Sequence, residues 1–169
     1  PTQGRTFVYD PDEDAWHNRE SYQLGYWRAS CYESIFGINL VGDSESNKLG
    51  MLDRHVYQEY GGHWISRRVS GVFAAKNKLV SANRLELTFP SGQVPQSITH
   101  QARLRWSDNK GLTYGNPMIK EIGTAGAGNQ RLVWWSMGSF RQRVYELSIS
   151  TAANRDLIDE DFQYEVGGL

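Results

Sequence analysis

A single cysteine, five prolines and no apolar run near the ~20 residues that cross a bilayer as a helix set the first limits on this chain of 169 residues. Cys31 has no second cysteine to pair with, so the fold cannot depend on an internal disulfide or an oxidising compartment; a small buried hydrophobe is the expected role. No charged-then-apolar leader opens the chain, and it is expected to be soluble, with no membrane partner. It begins at Pro1, with no initiator Met and directly before the strand-like Arg5-Thr6-Phe7-Val8-Tyr9, so it is expected to be a fragment of something longer. Charge of one sign is also missing. Eighteen Lys and Arg against nineteen Asp and Glu leave a net charge of -1, which lacks the basic excess that nucleic acid or an acidic membrane surface attracts. A protein partner or a small ligand fits that balance better than sequence-specific nucleic acid.

What the chain does have is aromatic rings and glycine. Six Trp, nine Tyr and six Phe, with 17 Gly spread between them, favour many strands joined by tight turns. The expected class is all-β and mostly antiparallel, as propeller-blade-like sheets, a small β-sandwich, or both. Thr6 to Tyr9, an acidic Pro-containing turn at Asp10 to Asp14, and Ala15-Trp16-His17 read as a hairpin similar to the Tyr-Asp-Pro … Trp hairpin of kelch-type propeller blades. Tyr26 to Tyr32, Ile38 to Val41 and Lys48 to Asp53 follow as strands, and Trp64 to Ala75 as a strand with a polar interruption. Asn77 to Asn83 turns polar and short-chained, which places an expected boundary between residues 1–76, propeller-blade-like, and residues 77–169, a C-terminal β region. Beyond it, Arg84 to Phe89 alternates with Leu85, Leu87 and Phe89 on one face, and Met118 to Ile122, Gln130 to Trp135 and Phe140 to Ser150 are further strands.

Several motifs invite a chemical reading and lack the residues to sustain it. Asp10, Asp12 and Asp14 match the first ligand positions of an EF-hand loop, but Ala15 stands where a Gly makes the sharp turn and Ser21 where a bidentate Glu closes the site. Gly42-Asp43-Ser44 matches an esterase nucleophile motif, yet no Asp-x-x-His follows late in the chain, and the last histidine is His100. A turn whose Asp and Ser bond their own backbone accounts for it. His55 and His63 with Glu59 are too irregularly spaced for zinc. The glycine-rich Gly123 to Asn129 is followed by a strand and carries no Gly-Lys-Ser/Thr, so it reads as a tip or a partner contact and not as a phosphate cradle. No catalytic residue, metal ligand or cofactor site is expected.

The most specific stretch is Ala102 to Gly115. Ala102, Leu104 and Trp106 alternate with Arg103, Arg105 and Ser107; Asp108-Asn109-Lys110-Gly111 then turns, Asn109 and Gly111 being the residues suited to positive φ, and Leu112-Thr113-Tyr114 fits a returning strand. Ser107, Asn109, Gly111, Thr113 and Tyr114 resemble the Asp-box hairpin of sialidases and other β-propellers, with Asn109 replacing an acid and Tyr114 a Trp. In such a hairpin the Ser and Asn bond the turn amides while the aromatic packs beneath, here beside Trp106. The motif marks a fold, not an active site.

A longer series, Trp106-Ser107-Asp108 … Gly111, Ile122-Gly123 and Arg131-Leu132-Val133-Trp134-Trp135-Ser136-Met137-Gly138-Ser139-Phe140-Arg141-Gln142-Arg143-Val144-Tyr145, resembles the C-terminal region of the tail hub proteins of P22-like short-tailed phages, also called packaged-DNA stabilisation proteins. Trp27-Arg28-Ala29, Leu40 to Ser44, Leu52-Asp53 and Tyr57 to Gly61 are similar to the preceding part of that family. The resemblance implies a virion tail protein, made in the bacterial host cytoplasm. Several copies would form a ring below the portal and its adaptor, close the DNA channel and carry tail parts. It implies no catalytic residues. The alternative is a sialidase-like, glycan-binding or glycan-hydrolysing propeller fragment, in which Arg131, Arg141 and Arg143 would clamp a carboxylate beside Tyr145. Against it, alternation places polar residues of such strands on a solvated face.

Overall fold

The computed structural model describes residues 4–62, 64–90, 94, 97–124 and 128–167, and every regular element among them is a strand. Two compact units divide the chain, Pro1–Trp64 and Ile65–Leu169. No helix among the described residues is long and apolar enough to cross a membrane.

The first unit holds two small antiparallel sheets. Strands β1 (Thr6–Asp10) and β2 (Ala15–Arg19) form the hairpin expected from the acidic turn. Tyr9 lies opposite Trp16 with ring centroids 5.2 Å apart, and Asp10 Oδ1 accepts the Asp12 amide at 2.9 Å inside the turn. The second sheet runs β3 (Ala29–Ile35), β4 (Ile38–Asp43) and β5 (Leu49–Met51). Ser44 closes the β4 end by donating its amide to Arg28 O. Where a strand was expected from Tyr26, the ladder begins at Ala29, with a register shift before Cys31. Residues 53 to 62 contain no helix. Cys31 is exposed, contrary to the buried role expected of it, because a three-stranded sheet with a single fully buried hydrophobe, Val41, covers little of either face.

The β3–β4 connection is a two-residue turn, Phe36-Gly37, with φ of 52° and 76°. Both angles are those of a type I′ turn, in which Asn-Gly is preferred because a bulky L-residue is strained at positive φ. Phe36 is also 99% exposed. Phe36→Asn is therefore expected to stabilise the protein by about 1 kcal/mol, the lower end of the left-handed penalty, read as a rise in the urea midpoint.

The second unit is a β-sandwich. One sheet has the order β10 (Met118–Glu121), β9 (Gln101–Ser107), β13 (Gln142–Ile149) and β6 (Ser66–Val69), with β7 (Phe73–Ala74) pairing the start of β13. The other is built on β8 (Val80–Phe89). Strand β14 (Asp159–Val166) pairs it along almost its whole length, so β11 (Gln130–Trp135) and β12 (Ser139–Phe140) must share its opposite side. One core joins the inner faces: Leu85, Leu87 and Phe89 of β8, Trp134 of β11 and Phe140 of β12 pack with Leu104 of β9 and Leu147 of β13. Alternate inward residues of both sheets supply that core, as sandwich packing requires.

Strand β8 contains a change of phase. Val80 and Ala82 face inward at even positions, whereas Leu85, Leu87 and Phe89 do so at odd ones. A period-two strand cannot bury both sets unless one residue is inserted. Asn83 is that residue. Gln163 pairs with Arg84 and Tyr164 with Ala82, so Asn83 is skipped by β14, as in a β-bulge. Its carbonyl accepts the Ser136 amide at 2.9 Å, and its side chain donates to Glu165 at 3.1 Å.

Candidate functional site

The turn after β9 is held by short-range hydrogen bonds. Ser107 Oγ accepts the Gly111 amide at 2.9 Å and donates to Asn109 Oδ1 at 2.7 Å; Asn109 Oδ1 accepts the Thr113 amide at 2.9 Å, and Asn109 Nδ2 donates to Thr113 Oγ1 at 2.7 Å. Ser107 is fully buried while Asn109 and Thr113 are exposed. Positive φ falls on Lys110 and Gly111, not on Asn109, whose side chain is engaged as the turn acceptor. Tyr114 lies 4.6 Å from the Arg105 guanidinium, and the ring facing Trp106 is Tyr145, at 6.4 Å. Leu112 to Tyr114 form no strand. The return strand is β10, starting at Met118, because the turn bonds keep Thr113 folded over Asn109. Gly115 then donates its amide to Trp106 O at 3.0 Å. Ser107→Ala removes the acceptor of the part-buried Gly111 amide and is expected to cost about 1–2 kcal/mol, measured by chemical denaturation.

Asp108, which the motif comparison passes over, anchors this turn to the sandwich. Its carboxylate receives Arg143 Nε at 2.6 Å and Nη2 at 2.9 Å, a bidentate pair, and Arg143 Nη1 donates to Met137 O at 2.7 Å. The guanidinium lies 4.2 Å from the Phe140 ring and 5.1 Å from that of Trp106. Burial works to lower the Arg143 pKa, but its hydrogen-bonded pairing with Asp108 and the nearby Tyr145 side chain hold it above its ordinary value. Arg143 is only 3% exposed, so the expectation of a solvated arginine face fails at this position. No local pattern signals the pairing, since the partners are 35 positions apart.

The three arginines of the glycan-clamp alternative go to separate partners. Arg131 faces Glu86 at 3.5 Å, Arg141 donates to Asn77 O, and Arg143 is used by Asp108. A carboxylate clamp needs free guanidinium forks converging on one point. This set offers none.

Other candidate residues have local tasks. Asp43 accepts Arg28 Nε and Nη2, both at 2.6 Å, together with the Glu45 amide and the Ser46 hydroxyl, and these partners hold its carboxyl well below the usual range. Ser44 Oγ reaches only Glu45, at 3.4 Å, so Gly42-Asp43-Ser44 is organised as a turn. Ligand atoms of Asp10, Glu13 and His17 lie within 4.8 Å of one another at the β1–β2 tip, but Asp10 already caps the turn amides and Asp14 accepts the Tyr9 hydroxyl at 2.7 Å. This is not the Asp10, Asp12, Asp14 set of a calcium loop. His55 is exposed; His63 and residues 125–127 of the glycine-rich loop lie outside the described residues.

His100 is buried, with no partner for Nε2 among the described residues, and burial first, then the charge of Arg155, lowers its pKa from 6.5. The folded state therefore keeps the ring neutral, while the unfolded chain takes up a proton below pH ~6.5. Stability is expected to be level above that pH and to fall as pH drops through it toward the folded value. Urea midpoints measured across that range check the slope, which His100→Phe should flatten.

Two clefts open among the described residues. In the first unit, Trp27, Tyr60 and Trp64 border a cleft of about 550 Å³, where Arg19 lies 4.0 Å from the Trp27 ring and Trp27 Nε1 donates to Glu59 at 3.1 Å. In the second, an apolar cleft of about 580 Å³ opens between β6–β7 and β14, lined by Val69, Val72, Phe73, Leu157 and Phe162 with Arg68 and Glu160 at its rim.

No curated protein matches the chain. The family described as bacteriophage P22 Gp10, beta-sandwich, matches residues 66–159, more than half of the sequence. That span runs from the first residue of β6 to the first of β14 and covers every strand of the sandwich but the rest of β14. The chain therefore belongs to the bacteriophage P22 Gp10 β-sandwich family, as a structural protein of a phage tail.

Proposed function

We propose that this protein is a non-enzymatic part of the tail hub of a phage or prophage, where several copies help to close the DNA channel and attach further tail parts. The observation that carries the reading is the family match over residues 66–159. Two features agree with it. The polar cluster of Ser107, Asn109 and Thr113 with Asp108 and Arg143 is consumed in fixing the turn, and no free nucleophile and base adjoin it among the described residues. The sandwich also leaves strand edges unpaired among the described residues, and an assembly module needs such edges.

The partners would be portal-adaptor and tail proteins, with further copies of this chain. No cofactor or membrane is involved, and no sequence-specific contact to nucleic acid. Sedimentation of the purified chain with portal-adaptor and tail proteins of the same phage tests the proposal. Co-sedimentation with at least one of them is expected. Independent sedimentation of all components would overturn it.

A further inference from the structure

Two unpaired edges of the sandwich carry opposite charge. β6 reads Ser66-Arg67-Arg68-Val69 and pairs only β13; β14 reads Asp159-Glu160-Asp161-Phe162 and onward and pairs only β8. The ladders assign their faces. Arg68 lies opposite Leu147 and Glu160 opposite Leu87, so both stand on inner faces, at the rim of the apolar cleft. Arg67 lies opposite Ser148 and Asp161 opposite Glu86, on outer faces. Among the described residues no ion pair engages Arg67, Arg68 or Glu160.

Charges on an edge strand usually prevent pairing. Here they prevent it selectively. Two β6 edges would bring arginines together, and two β14 edges would bring carboxylates together, each a like-charge contact that weakens a ladder. A β6 edge against a β14 edge does the reverse. With Arg68 set opposite Glu160 in an antiparallel ladder, Arg67 falls opposite Asp161 and Ser66 opposite Phe162, and inner face meets inner face.

We propose that β6 of one copy pairs with β14 of a second copy, joining the sheets of neighbouring sandwiches and covering the apolar cleft. The inference rests on the proposed function, in which several copies assemble, and it names the surfaces they use. Main-chain hydrogen bonds supply adhesion, the Arg68–Glu160 contact sets register, and Val69, Val72 and Phe162 leave water.

Sedimentation equilibrium of the full chain tests it. The wild type is expected to associate, less so in about 0.5 M NaCl, where the screening length is only ~4 Å. Arg68→Glu sets carboxylate against carboxylate at the register contact and Glu160→Arg sets guanidinium against guanidinium, so each variant alone should self-associate roughly 10-fold or more weakly. An equimolar mixture of the two should associate again, because the register contact then pairs opposite charges. Misfolding of either variant would not produce that rescue, and near-ultraviolet circular dichroism of each confirms its fold. A wild type monomeric throughout, or a mixture of folded variants no stronger than its components, overturns the inference. Wild-type oligomers that survive both reversals also overturn it, while leaving the tail-hub reading intact.

Discussion

Trp134→Ala is expected to lower stability by about 3–5 kcal/mol, the range for truncating a buried aromatic. Trp134 has no exposed surface and sits next to the end of the β11 ladder, opposite Leu85 and within the cluster shared by both sheets. Alanine would leave a void between sheets that β8 cannot close, because both of its edges are already paired. The indole contributes less than its size suggests. Trp134 Nε1 is buried without a hydrogen-bond partner among the described residues, and such an orphan donor costs ~1–3 kcal/mol. Trp134→Phe removes that donor along with part of the ring and is expected to cost far less than the alanine variant. Urea denaturation of the three proteins gives the comparison; equal losses for Phe and Ala would mean that ring volume alone decides.

The second large effect is expected at the anchor of the turn. Asp108→Ala leaves the Arg143 guanidinium buried with Met137 O as its remaining hydrogen-bond acceptor and is expected to cost about 2–3 kcal/mol. The figure is set below the usual loss for a broken buried pair because the Asp108 side chain is half exposed. Removing the other partner is milder. In Arg143→Met the freed carboxylate turns to water, and the methionine keeps contact with Phe140 and Trp106. Asp108→Ala should therefore be the more destabilising of the two, and a double-mutant cycle measures their coupling. The reverse order would mean that Arg143 acts mainly through packing.

The strands most legible in the sequence alternate cleanly or follow an obvious turn. β1, β2, β4, β9, β10, β11 and β13 fall where period-two patterns and turn residues place them. β14 is harder to read as a strand because acidic residues dominate it, although Phe162, Tyr164 and Val166 do alternate. Those residues face inward at positions 162, 164 and 166 opposite Leu85, Ala82 and Val80. The bulge at Asn83 could also have been read, from the change of phase between Ala82 and Leu85. Other features depend on tertiary distance. The Asp108–Arg143 pair, the burial of Arg143 and the orphan Nε2 of His100 arise from strands far apart in the chain, where local pattern says nothing. Cys31 shows the limit of composition. Cysteine favours interiors, but the first unit offers it a small sheet with little interior to occupy.

The turn at Ser107 to Thr113 narrows what the arginine-rich strands can mean. With Arg143 committed to Asp108, and Arg131 and Arg141 occupied elsewhere, the β-sandwich presents edges and a cleft where a glycan enzyme would present a converging clamp. The proposed role is mechanical, and DNA retention by assembled particles measures it most directly. Particles of the encoding phage, filled in the absence of this protein, are predicted to release their DNA, and to retain it when the purified chain is added back before challenge with nuclease. Filled particles that keep their DNA equally well with and without the protein would contradict a part in closing the channel.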